Sequence, residues 1–147
     1  MKIFIGSDHG GYNLKEKIKE VFSSSGYEFE DMGTTSTESC DYPVFAQKVA
    51  QKVQQTNGRG ILVCGTGIGM SIASNKFKGI RSALCYDTFS ARMTREHNDS
   101  NILCLGERVT GQDLALDIVK IWLDTPFSNG ERHKKRIDLI KQIEENN

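Results

Sequence analysis

In residues 60–76, GILVCGTGIGMSIASNK, a cysteine ends an apolar run at the point where a glycine-rich loop begins. A thiolate at Cys64 could serve as a base or as a nucleophile. The loop Gly65-Thr66-Gly67-Ile68-Gly69 has three glycines at alternate positions, which lets the backbone turn sharply and leaves N–H groups uncovered for an anion or a developing oxyanion. A helix is expected to open near Met70, and its N-terminus beside Cys64 would favour the thiolate. The loop is not a dinucleotide fingerprint: the third glycine comes too early, the first strand is not involved, and no acidic residue ends the next strand. Nor does it carry the lysine of a P-loop. Two plainer readings stay open, a tight strand-to-helix turn without a ligand and a cysteine used as a small apolar side chain.

The chain has only three histidines. His9 follows Asp8 in the turn after the first apolar run, and His133 lies in a charged C-terminal segment. His97, in EHNDSN, precedes the last apolar run. It would therefore stand at the opposite edge of its own sheet from Cys64, unless its helix end bends round or it serves a neighbouring subunit. Arg132 and Arg136 are four apart and share a helical face on which two guanidinium forks could grip one phosphate. Arg108, after the last strand, could join them; the alternative is a solvated basic face. A poised thiol, an N–H nest, a histidine and several arginines fit a small phosphorylated substrate undergoing proton transfer next to a carbonyl.

These residues need a scaffold, and the pattern around them supplies one. Short apolar runs recur at residues 3–5, 29–32, 61–63, 80–85 and 102–105, each followed by glycine or polar residues and then a helical period. That alternation predicts βαβ units around a parallel sheet, with ligands at the carboxyl ends of the strands. Helices are expected from Leu14 to Phe22, from about Pro43 to Gln55, and over 111–124. Beyond Pro126, the charged C-terminal segment offers only a narrow stripe of Ile137, Ile140 and Ile143, so that helix needs something to pack against. At 147 residues, one domain spanning 1–147 is expected. Nineteen basic residues balance nineteen acidic ones, which argues against nucleic acid or an anionic membrane as partner. No apolar run approaches the ~20 residues of a membrane span, and no secretory signal opens the chain, so a cytoplasmic protein is expected. Cysteines at 40, 64, 85 and 104 form no C-x-x-C pair, so reduced thiols are expected and no metal site.

SDHGG at 7–11, DYP at 41–43, CGTGIGMSIASNK at 64–76, YDTFSARMTREHNDSNILCLGERV at 86–109 and RHKKR at 132–136 together resemble the ribose-5-phosphate isomerase B family, a group that also includes galactose-6-phosphate isomerase subunits. The resemblance spans nearly the whole chain. It implies a Rossmann-like three-layer sandwich on a parallel five-stranded sheet, with the C-terminal helix packed on a partner subunit. It also implies an aldose–ketose isomerase of the non-oxidative pentose phosphate pathway, without metal or other cofactor, working as a homodimer or dimer of dimers with shared sites. Carried over by position, Cys64 matches the base that moves a proton between C1 and C2 through a cis-enediolate. His97 matches the acid that opens the furanose ring, and Thr66 supports the catalytic site. Gly65, Thr66, Gly67, Ile68 and Gly69 match the loop that stabilises the enediolate oxygen. Asp8 and His9 match substrate contacts, and Asn98, Arg108, Arg132 and Arg136 match polar and phosphate-binding groups, the last two from the partner chain. A related subfamily replaces the cysteine by a glutamate one turn on; that position is Met70 here, so the cysteine chemistry applies. The glycine pair that usually precedes the terminal RH is Gly130-Glu131.

Two other functions fit the same residues. One is isomerisation of a six-carbon sugar phosphate such as allose 6-phosphate or galactose 6-phosphate, which differs in pocket length. The other is a non-catalytic sugar-phosphate sensor, which would need neither Cys64 nor His97.

Overall fold

The computed structural model describes residues 1–147. The chain runs β1 (Lys2–Ser7), a single 3-10 turn (His9–Gly11), α1 (Tyr12–Ser23), β2 (Glu28–Asp31), α2 (Tyr42–Thr56), β3 (Arg59–Cys64), α3 (Ile68–Ser74), β4 (Ser82–Leu84), α4 (Thr88–Asn98), β5 (Ile102–Gly106), α5 (Gln112–Asp124) and α6 (Glu131–Glu145). The five strands form one sheet in the order β2-β1-β3-β5-β4, and every pairing is parallel. The expected α/β sandwich is what the chain forms.

Alternation along the strands builds two cores. Ile3, Ile5, Ile61, Val63, Leu103 and Leu105 face one way and pack with α1, α4 and α5, around a fully buried Trp122. Phe4, Leu62, Cys64, Ile102 and Cys104 face the other way and pack with α2 and α3 through Ala46, Val49, Val53 and Met70. Strands buried on both faces read as continuous apolar runs, which is why β1, β3 and β5 were legible. The indole Nε1–H of Trp122 donates to Ser100 Oγ at 2.9 Å, so its burial leaves no polar atom unmet. At the sheet edge, β2 alternates Phe29 with Glu28 and Glu30, charges that disfavour pairing with a further strand.

Strand β2 spans Glu28–Asp31 against the expected 29–32, and two further boundaries differ from expectation. The fourth apolar run, 80–85, contributes only Ser82–Leu84 to the sheet. Ile80 is buried in the turn before it, and Cys85 continues the ladder with a single bond from its N–H to Cys104 O at 3.3 Å. Helix α3 starts at Ile68, two residues before Met70. Gly67 adopts φ +80°, and this left-handed cap turns the chain from the loop directly into the helix. Helix α6 has no buried residue; its Leu139, Ile140 and Ile143 are exposed. No helix is long and apolar enough to cross a membrane.

The Gly67 cap gives a test of how tightly the loop is held. A Cβ there would sit 2.6 Å from Leu84 Cδ1 and 2.8 Å from the Leu105 carbonyl carbon, in a conformation that L residues rarely adopt. At Gly79, φ is +77° but nothing lies within 4 Å. Urea unfolding should show Gly67→Ala losing at least ~2 kcal/mol more than Gly79→Ala, since only the former adds overlap to backbone strain. Equal losses would mean the loop yields.

Candidate active site

The strand order reverses direction between β1 and β3, and in open α/β sheets the crevice at such a point, beyond the carboxyl ends, is where ligands bind. Cys64 ends β3 there, and Asp8 follows β1. The Asp8 N–H donates to Val63 O at 3.2 Å, which ties the two strand ends together. Asp8 is buried, and its Oδ1 accepts the Gly10 N–H at 2.9 Å, fixing the turn that carries His9. His9 Nδ1 accepts the Cys40 N–H at 3.2 Å, so in the neutral ring Nε2 holds the proton.

Cys64 is 5% exposed, and its Sγ accepts the Gly67 N–H at 3.1 Å. Helix α3 has only seven residues, so the sulfur is served less by a macrodipole than by this one directed N–H. Thr66 Oγ1 accepts the Ile68 N–H at 3.2 Å, and Thr66 O accepts the Tyr86 hydroxyl at 2.7 Å. The N–H groups of Gly65 and Thr66 donate to no protein atom, which leaves two donors beside the thiol for an oxyanion. Arg108 lies against this loop: the place of a Cβ on Gly65 is 3.4 Å from Arg108 Cδ and 3.6 Å from Nη1. Its N–H donates to Gly65 O at 3.0 Å, as the Glu107 N–H does to Cys64 O at 2.9 Å.

Two further cysteines are buried. Burial, reinforced by the Asp87 carboxylate, pushes the Cys85 thiol up to about 12. Burial also pushes Cys104 well above the ordinary thiol range. Both are inert packing groups.

The remaining expected residues stand elsewhere. Helix α4 starts at the carboxyl edge and returns about 16 Å to the start of β5, so His97 and Asn98, in its last turn, lie at the amino edge of the sheet. Their position is set by buried Arg95, which donates to Thr125 O, Asp99 Oδ1 and Ser100 O and whose guanidinium lies 5.9 Å from the centre of the Trp122 ring. The His133 ring of α6 stacks on His97 with centroids 4.2 Å apart and 13° between planes. Arg132 and Arg136 flank His133 on α6 and are exposed. Desolvation, then the neighbouring His97, Arg132 and Arg136, holds His133 below the ordinary histidine range. Thus Arg108 belongs with Cys64, not with Arg132 and Arg136, and no single chain unites Cys64 with His97. A groove of about 460 Å³ beside β4, lined by Leu84, Phe89, Met93 and Asn98, does not include Cys64. No three His, Cys, Asp or Glu side chains are grouped to hold a metal ion.

One site residue had no role in the sequence reading. Tyr42 begins α2, and a Cβ on Gly69 would meet its Cε2 and Cζ at 2.7 Å, so the phenol lies directly over the loop. The signal available was the DYP tripeptide, where Pro43 suits the first turn of a helix that Tyr42 opens.

Comparison with known proteins shows the family of the chain. Residues 3–140 match the family described as Ribose/Galactose Isomerase. The chain is 46% identical over 146 residues to ribose-5-phosphate isomerase B of Escherichia coli, covering 98% of this chain and 97% of that protein. It superimposes on the Clostridium thermocellum ribose-5-phosphate isomerase B with a TM-score of 0.96 and 56% identity, over 99% of both chains. Against the Mycoplasma genitalium ribose-5-phosphate isomerase B, solved with bound ribulose-5-phosphate, the TM-score is 0.95 and the identity 38%, over 99% of this chain and 97% of that one. With its family match, its fold and its identity to these enzymes all extending over nearly the full length, the chain belongs to the ribose/galactose isomerase family.

Proposed function

We propose that this isomerase interconverts ribose 5-phosphate and ribulose 5-phosphate in the cytoplasm, as a homodimer whose sites each draw on both chains. The observation that carries the reading is the Cys64 sulfur beside the free N–H groups of Gly65 and Thr66. As thiolate, Cys64 takes the proton from C2 of the open-chain aldose. The electron pair moves into a C1–C2 double bond, and the carbonyl pair settles on O1 as the enediolate. The loop N–H groups stabilise that oxygen, each well-placed donor lowering the barrier by ~3 kcal/mol. The thiol then returns its proton to C1 while the O2 hydroxyl proton passes to O1, leaving the ketose. Asp8 and His9 hold the sugar hydroxyls, and Thr66 supports the loop. Arg108 joins them from the same edge of the sheet.

Ring opening requires an acid, which is the role of His97. Because His97, Asn98, Arg132 and Arg136 stand at the amino edge of their own sheet, a second copy supplies them, with the two arginines gripping the phosphate. Apolar surface supports that assembly: Ile68 and Ile72 on α3, Phe89 on α4, and Ile140 and Ile143 on α6 are all between 46% and 65% exposed. The stack on His133 holds the His97 ring in one orientation.

Turnover of ribose 5-phosphate by metal-stripped protein, with Cys64→Ala and His97→Ala as companions, tests the chemistry and the shared site together. Each variant alone should lose at least ~100-fold in kcat at unchanged melting temperature. Mixing the two after subunit exchange should restore about a quarter of the wild-type rate, because half the dimers are mixed and each of those carries one intact site. No recovery on mixing would put both groups in one chain's site.

Replacing Arg136 by alanine should raise KM for ribose 5-phosphate more than it lowers kcat, since phosphate binding is remote from the reacting carbons. A normal KM with collapsed kcat would remove Arg136 from phosphate binding. The same assay on allose 6-phosphate and galactose 6-phosphate decides between five- and six-carbon substrates.

A further inference from the structure

The mechanism makes no use of Lys15, whose residue exposure is 0%. Its ammonium has three protons and meets three acceptors: Asp31 Oδ1 at 2.8 Å, Asp31 Oδ2 at 2.7 Å and Thr34 O at 2.8 Å. The Tyr12 ring covers it, with the centroid 5.2 Å from Nζ. Replacing a buried ion pair with apolar side chains of similar volume is often neutral or stabilising, so a buried lysine is weak evidence for stability and better evidence for a fixed geometry.

What the geometry fixes leads to the active site. Asp31 Oδ1 also accepts the Gly33 N–H at 2.8 Å. Gly33 O accepts the Ser7 N–H, and the Thr34 N–H donates to Ser7 O, both at 2.7 Å. Residues 31–34 are thereby bound to the last residue of β1, immediately before Asp8 and His9. Beyond Thr34 the chain is held by nothing for five residues: between Thr35 and Ser39 the one hydrogen bond is local, from the Glu38 N–H to Ser36 Oγ. It is caught again where Cys40 meets His9 Nδ1, two residues before Tyr42. The point at which this span leaves Thr34 therefore sets where Cys40 and Tyr42 arrive.

We propose that Lys15 is a positioning residue, which anchors Asp31 and Thr34 so that the 35–41 span delivers the Cys40 N–H to His9 and the Tyr42 ring to the oxyanion loop. It acts on substrate binding and not on the proton transfer at Cys64. The proposal rests on the reading of His9 as a substrate-side group given above and on the place of the Tyr42 ring over the loop.

The test compares Lys15→Met with the wild type and with Ile118→Ala, a core variant on α5 that lowers stability in the cluster on the opposite face of the sheet from Met32. Steady-state kinetics with ribose 5-phosphate should give Lys15→Met a KM raised about tenfold with kcat within about threefold, whereas Ile118→Ala keeps its KM below its melting temperature. Independently of turnover, the His9 ring-nitrogen NMR shifts should move from the Nε2–H form toward tautomer averaging in Lys15→Met and stay unchanged in Ile118→Ala. A folded Lys15→Met with wild-type KM and wild-type His9 shifts overturns the proposal, as does a loss shared in kcat and KM that Ile118→Ala reproduces. Should Lys15→Met fail to fold, Asp31→Asn, which keeps the shape and removes the charge, is judged by the same criteria. If the wild type does not turn over ribose 5-phosphate, the functional reading fails, while the His9 shifts still decide whether Lys15 sets that ring.

Discussion

Every strand of this sheet runs the same way, and that single constraint decides where each functional group can stand. Residues that follow strands, Asp8 and His9 after β1, Cys64 after β3 and Arg108 after β5, collect at the carboxyl edge. Residues that end the return helices, such as His97 and Asn98 on α4, must collect at the other. A parallel sheet with return helices thus separates the proposed site residues into two groups by topology alone. In the proposed homodimer two chains join these two groups, and Ile68 and Ile72 on α3 with Ile140 and Ile143 on α6 are exposed apolar side chains open to such an association.

A buried cation hydrogen-bonds a backbone carbonyl near each of these two groups. At the carboxyl edge Lys15 binds the end of β2 and the following turn to the end of β1. Burial alone would raise the Asp31 carboxyl, but the hydrogen bonds from Lys15 and Lys19 outweigh it and hold it below the ordinary carboxylate range. At the amino edge Arg95 ties the last turn of α4 to the end of α5. Both cations reach backbone carbonyls at the ends of elements, where the loops that carry function begin.

At the centre, the fold gives the thiol a local environment that its sequence neighbours lack. Cys64, Cys85 and Cys104 are all buried, yet only Cys64 has a backbone N–H aimed at its sulfur. That N–H exists because Gly67 takes a left-handed conformation and folds the loop back over the strand end. The N–H groups of Gly65 and Thr66 in the same turn donate to no protein atom, so in the proposed mechanism base and oxyanion donors are products of one backbone geometry.

The sequence by itself determined the sheet, the helices and most of the residues gathered at them. Strands buried on both faces are written as continuous apolar runs, helices as 3.6-residue stripes, and a cysteine before alternating glycines marks a strand end. Short-range rules failed only where the ladder is short or the cap unusual, as at β4 and Gly67. Tertiary structure decided what no spacing encodes: that Arg108 sits on the loop while Arg132 and Arg136 sit across the sheet, that Tyr42 covers Gly69, that His133 stacks on His97, and that Lys15 meets an aspartate sixteen residues away. The physical reason is that periodicity reports how a residue faces its own element, whereas these contacts depend on how elements far apart in the chain are packed against one another.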